Sequence, residues 1–72
     1  MSVPINTERL MREMARRGWS RRDLARAAGI AAPTVTMALA GRPVAPATLK
    51  RIALALLAAE PVEGIDSLLL GG

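Results

Sequence analysis

Residues 20–40, SRRDLARAAGIAAPTVTMALA, decide how the rest of this chain is read. They parse as two short helices joined at Gly29. Leu24, Ala25, Ala28, Ile30, Val35 and Ala38 are apolar or small at the spacing that packs one short helix across another, and Gly29 falls where a tight turn needs positive φ. Agreement at all these positions is a narrower signal than amphipathicity alone, and it makes the stretch a helix-turn-helix. An ordinary αα-corner in an all-helical domain is the plainer alternative.

Working outward on the N-terminal side, Trp19 and Ser20 mark the start of the first motif helix. Ser20 is the N-cap, Asp23 at N3 returns a capping-box bond, and Trp19 is placed to staple against Leu24. A lone tryptophan here reads as a core plug, because single-strand binders normally display several aromatic platforms. Before it, Asn6 or Thr7 caps a helix that runs to about Arg17 and ends at Gly18 in the C′ position, with Glu8 in its first turn and Arg16 and Arg17 in its last. Leu10, Met11, Met14 and Ala15 form its apolar stripe, leaving Arg9, Arg12, Glu13 and Arg16 outward. Residues 1–5 read as a loose arm.

On the C-terminal side, the second motif helix begins near Ala32, accepts Pro33 in its first turn and ends at Gly41. Arg42 to Pro46 form a rigid connector, with Pro46 opening a further helix. There Leu49, Ile52, Ala53, Leu56 and Leu57 are expected to face the core, Leu54 to fall off the stripe, and Lys50 and Arg51 to stay solvated. Glu60-Pro61 closes it. Ile65 to Leu70 form a last helical turn before a flexible Gly71-Gly72. The expected fold is all-α, a compact bundle of four to five short helices in a single domain over residues 1–72.

Composition narrows the function. The chain has 72 residues, half of them apolar, with one tryptophan and neither phenylalanine nor tyrosine, so its core is built from Leu, Ile, Val, Met and Ala. Without cysteine or histidine it lacks thiolate and imidazole metal ligands and the usual catalytic base. Its carboxylates are scattered and Ser20 is explained as a cap, so nothing assembles a nucleophile with a base, and no enzyme, metal, cofactor or small-molecule ligand is expected. The longest apolar run, Ile52 to Ala59, is far shorter than the ~20 residues of a membrane span. MSVPINTERL lacks the pattern of a signal peptide, and a cytoplasmic protein is expected. Charge is segregated: residues 1–51 hold all ten basic side chains against three acids, and residues 52–72 hold three acids and no base. A basic N-terminal portion on so small a domain points to a polyanionic partner.

From about Leu10 to Leu70 the chain resembles the lambda-repressor/Cro-like helix-turn-helix superfamily, on LARAAGI, TVTMALAG and the final apolar helix. Thr34 to Ile52 also resembles the headpiece of Lac-repressor-type regulators, but the separate helix before Trp19 favours the repressor/Cro arrangement. The resemblance implies a small phage Cro or repressor in a bacterial host cell, with its second motif helix in the major groove of double-stranded DNA. Transferred position by position, it implies that Ala31, Ala32, Pro33, Thr34, Thr36, Met37 and Ala40 face bases, while Val35 and Ala38 face the core. Arg21 and Ser20 at the start of the first motif helix, flanked by Arg17, Arg22 and Arg42, are the implied phosphate contacts.

This face departs from the family pattern. It lacks the Arg, Asn and Gln side chains that read bases bidentately, so specificity is expected from thymine-methyl contacts, the Thr34 and Thr36 hydroxyls, flanking arginines and DNA shape. Leu39, where the family frequently carries glutamate, is expected to pack against the connector. Tight operator binding by so small a domain calls for a homodimer, at least on DNA. Leu54, Leu57, Ile65, Leu68 and Leu69 are its candidate patch, the alternative being that they close the monomer core. The rival function is a protein-interaction module, antitoxin-like or co-regulatory, docking through the apolar helix face.

Overall fold

The computed structural model describes residues 5–61. Within that span lie four helices: α1 (Thr7–Arg16), α2 (Arg21–Ala28), α3 (Ala32–Leu39) and α4 (Pro46–Ala58). None is long and apolar enough to cross a membrane. The expected last turn at Ile65 to Leu70 lies outside the described residues.

Local chemistry sets most of the boundaries. Asn6, rather than Thr7, caps α1, accepting a hydrogen bond from the Arg9 N–H at 3.1 Å. Ser20 caps α2 through the complete capping box expected for Ser20 and Asp23. α3 and α4 begin at Ala31 and Ala45 with no side-chain cap, each with a proline in the first turn.

The first three helices end alike. Gly18, Gly29 and Gly41 have φ of 67°, 67° and 82°, and each is followed by a residue whose N–H reaches back to the carbonyl five positions earlier: Trp19 to Met14, Ile30 to Ala25, Arg42 to Met37. This is the Schellman closure, which satisfies carbonyls that a helix end leaves open. The residue after the glycine then chooses the chain's direction. Trp19 and Ile30 are half-buried against the core, whereas Arg42 is exposed and releases the chain into the connector.

The core collects Leu10 and Met14 of α1, Leu24, Ala25 and Ala28 of α2, Val35 and Ala38 of α3, Val44 of the connector, and Ile52 and Ala55 of α4. Four of these ten are alanine, which lets helix backbones approach closely. The helices pack chiefly as α2 on α3, α2 on α4 and α1 on α3. Leu24 and Val35 are completely buried, each contributing roughly 1.5–3 kcal/mol by removal from water. Leu39 is half-buried against this core.

Three expectations about the core are corrected. Met11 is 50 % exposed, leaving Leu10 and Met14 to carry the α1 stripe. Leu57 is 81 % exposed and Ala53 is exposed too, while Ala55 is buried in their place. At about 100° per residue, Leu57 stands some 140° round the helix from Ile52, but Ala55 only about 60°. An unbroken Ala-Leu run hides that difference.

Arg17 supplies what α4 lacks at its end. Its side chain is only 8 % exposed and its guanidinium donates to the carbonyls of Leu56 (2.8 Å) and Ala59 (2.9 Å), besides the Glu13 carbonyl (2.9 Å) and Glu13 Oε1 (2.8 Å). The α1 C-terminus thus caps the last carbonyls of α4. The Arg17 hydrogen bond, followed by the nearby charges of Arg16 and Arg17, holds the Glu13 carboxyl below its ordinary range despite partial burial.

Candidate nucleic-acid interface

The two motif helices lie consecutively, with three residues between them, and the turn is built at Gly29. Its left-handed φ of 67° is a conformation that a Cβ disfavours, although open space surrounds the position. Val35 and Ala38, one turn apart, are both fully buried and fix which face of α3 turns inward. The opposite face follows from that rotation: Ala32, Pro33, Thr36 and Met37, with Ala31 and Ala40 at the helix ends, are all exposed. Thr34 is half-buried at the edge of this face.

The surface so presented has an unusual chemistry. Met37 is 45 % exposed and is its largest group. Thr36 donates its hydroxyl hydrogen to the Ala32 carbonyl at 3.4 Å, which leaves the oxygen as an acceptor for an outside donor. α3 bears no charged residue. The charged residues expected at this site stand on neighbouring segments, Arg21 and Arg22 on the first turn of α2 and Arg42 beyond the α3 closure. All three are exposed, and among the described residues none is in an ion pair.

Two of the expected phosphate contacts do not belong to this set. The Arg17 side chain is 8 % exposed and lies against α4, with four of its five guanidinium N–H groups engaged by three carbonyls and a carboxylate. Ser20 donates both its N–H (2.8 Å) and its hydroxyl (2.9 Å) to Asp23 Oδ2 while its Oγ accepts from the Asp23 N–H (3.2 Å). Its donors are therefore committed to the cap. The bond from the Ser20 backbone, then that from its hydroxyl, lowers the Asp23 carboxyl pKa and keeps the box ionised.

Of the residues named for a dimer patch, Leu54 and Leu57 are exposed by 54 % and 81 % and lie outside the core formed by the described residues. They stand three residues apart on one outward face of α4. Ile65, Leu68 and Leu69 lie outside the described residues.

One contact was not foreseen. Arg51, read as merely solvated, is exposed but donates from Nη1 to the Gly29 carbonyl at 3.2 Å, linking α4 to the motif turn. No local pattern announces it, because the partner is a backbone atom 22 residues away.

A glycine-closed pair of helices with the second presenting an outward face, bordered by uncommitted arginines, defines a helix-turn-helix of the kind that docks on nucleic acid. The family model of the Cro/C1-type HTH DNA-binding domain matches residues 9–57, well over half of the chain, and the chain belongs to that family. No curated protein and no solved structure matches it.

Proposed function

We propose that this protein is a transcriptional regulator of the Cro/repressor type, binding double-stranded DNA as a homodimer on a two-fold site with α3 in the major groove. The observation that carries the reading is the exposed, uncharged face of α3, with exposed Arg21, Arg22 and Arg42 that form no ion pair among the described residues, in a chain of the Cro/C1-type DNA-binding family. Arginines with no internal partner lose little by leaving water for phosphate, and they position the protein without reading sequence. Bases are then read by Ala31, Ala32, Pro33, Thr36, Met37 and Ala40, with Thr34 at the margin. Methyl groups of Ala32, Pro33 and Met37 suit the thymine methyl, and the Thr36 oxygen suits an adenine or cytosine amino group.

Sequence discrimination per half-site is accordingly modest. Bidentate pairs worth about 1–3 kcal/mol each have no donors on this helix, so shape and deformability carry more of the preference. Exposure of Leu54 and Leu57 supports α4 as the dimer contact, joining two half-sites about one helical turn of DNA apart.

Fluorescence anisotropy against random duplex and against the DNA flanking its own gene, at several salt concentrations, tests the proposal. Three arginines per protomer neutralising one phosphate each give a dimer a log-log salt slope on the order of −5, at about 0.9 per phosphate. Preference for its own flanking DNA with a slope near that value is the expected result. Absence of binding to both duplexes at low salt overturns it and leaves the apolar α3 face as a protein-docking surface.

A further inference from the structure

Resting on that DNA-binding reading, we infer that Arg51 is a positioning residue, gripping the motif turn from α4 so that the leading end of α3 keeps its pose for the bases. The Gly29 N–H bonds the Arg26 carbonyl (3.3 Å) and the Ile30 N–H bonds the Ala25 carbonyl (3.0 Å), so both donors at the turn face back into α2. The Gly29 carbonyl is left, and Arg51 Nη1 takes it at 3.2 Å. Among the described residues this is the only hydrogen bond between α4 and the motif.

The middle of α3 is secured by Val35 and Ala38, both fully buried, but its leading end is not. Ala31 offers no capping oxygen, Ile30 is only half-buried, and α3 packs chiefly on α2 and α1 rather than on α4. Ala31 to Pro33, three of the residues assigned to base contact, thus inherit their position from the turn. Val35 to Ala31 is a lever of about 6 Å, so a tilt of about 10° about the buried pair displaces the tip by about 1 Å. That exceeds the roughly 0.5 Å tolerance of a contact geometry. An arginine suits the task, since one N–H of its fork meets the carbonyl while the rest of the group stays hydrated.

The test compares wild type with Arg51→Met, which keeps the aliphatic stem without donor or charge, and with Arg51→Lys. Residual dipolar couplings of backbone amides give the α2–α3 angle without DNA. Anisotropy with a duplex recovered by in vitro selection on the wild-type protein, and with a random duplex of equal length, gives the preference ratio. In Arg51→Met the angle is expected to shift and the ratio to fall roughly fivefold, the loss of one hydrogen bond's worth of ordering. Its melting temperature should fall by no more than the roughly 4–8 °C that the loss of one hydrogen bond gives in a domain of this size. Arg51→Lys should restore part of the ratio. Equal loss on both duplexes, with the salt slope reduced by about 0.9 per protomer, would make Arg51 a plain phosphate contact and overturn the inference. Unchanged couplings would overturn it as well. Should the wild type prefer no duplex, the DNA reading falls by itself and the couplings still decide whether Arg51 sets the pose of α3.

Discussion

α2 and α3 are helices of equal length, eight residues each, side by side in sequence and packed on one another, yet they are specified in opposite ways. α2 carries its own instructions: a capping box, an acid in its first turn, a base in its last and a glycine closure. α3 shares the glycine closure but has no side-chain cap, no charge at either end and three β-branched residues, Thr34, Val35 and Thr36, in its middle turn. Its helical state comes from Val35 and Ala38 locking into the core. The consequence for function is direct. Outward side chains of α2 are partly occupied with holding α2 together, whereas on α3 only the Thr36 hydroxyl bonds back to its own helix among the described residues, and the others are available to a partner.

The largest test of this contrast removes one anchor from each helix. Leu24→Ala is expected to cost about 3 kcal/mol and Val35→Ala about 2 kcal/mol, from lost burial plus the cavity left behind. Both are read from denaturant melts. Native-state hydrogen exchange then separates the helices: Val35→Ala should expose α3 amides well before those of α2, and Leu24→Ala should loosen both together. Amides of α3 that stay as protected as those of α2 in Val35→Ala would show that α3 does not depend on its anchors.

Arg17→Met should affect the two helices equally, because Arg17 joins α1 to the end of α4 and touches neither. Leaving the Leu56 and Ala59 carbonyls without this donor, and the Glu13 carboxylate with Arg16 alone, is expected to cost about 2 kcal/mol. It should also change the pH profile. The folded protein holds the Glu13 carboxyl below its ordinary value, so this stabilisation is full at neutral pH and is lost as pH falls below about 4, through the lowered folded pKa. In Arg17→Met the main cause of that lowering is gone, so melting temperatures between pH 3 and 7 should show a shallower acid limb.

The same contrast explains what could be read in the sequence. Boundaries written by local chemistry were legible: Ser20 with Asp23, Pro46, and the glycines that close α1, α2 and α3. So was the rotation of α3, since Val35 and Ala38 stand one turn apart at the spacing that packs one short helix on another. α4 was misread because PATLKRIALALLA is apolar on nearly every face, and only packing distinguishes Ala55 from Leu57. The role of Arg17 is not legible, because an arginine ending a helix looks solvated until the end of α4 is brought against it. Arg51 is a similar case, bonded to a backbone carbonyl that has no sequence signature. Both contacts are long-range and made by arginine, a residue type that the charge pattern reads as surface.

Smaller effects are expected at the helix starts. Ser20→Ala removes the cap of α2 and should cost about 1 kcal/mol. It also deprives Asp23 of the hydroxyl bond that helps lower its pKa. That stabilisation too is present at neutral pH and is lost as pH falls below about 4, so the variant's deficit should narrow in acid.

The converse substitution, Ala31→Ser, offers α3 the cap it lacks, at a residue whose φ of −70° and ψ of 144° already suit one. The gain should nevertheless stay below about 0.5 kcal/mol, because a cap oxygen seeks the N–H groups at N2 and N3. N2 is Pro33, which has none, and the N3 donor of Thr34 already bonds the Ala31 carbonyl at 3.0 Å. A melt showing a full 1 kcal/mol gain would mean that α3 is limited by its missing cap and not by its anchors. Within the proposed function the same serine stands at the tip of the reading helix, where it places a hydroxyl in the groove in exchange for a methyl. Duplex preference should therefore change more than stability does, which is the behaviour of a helix whose outward residues answer to the partner and not to the fold.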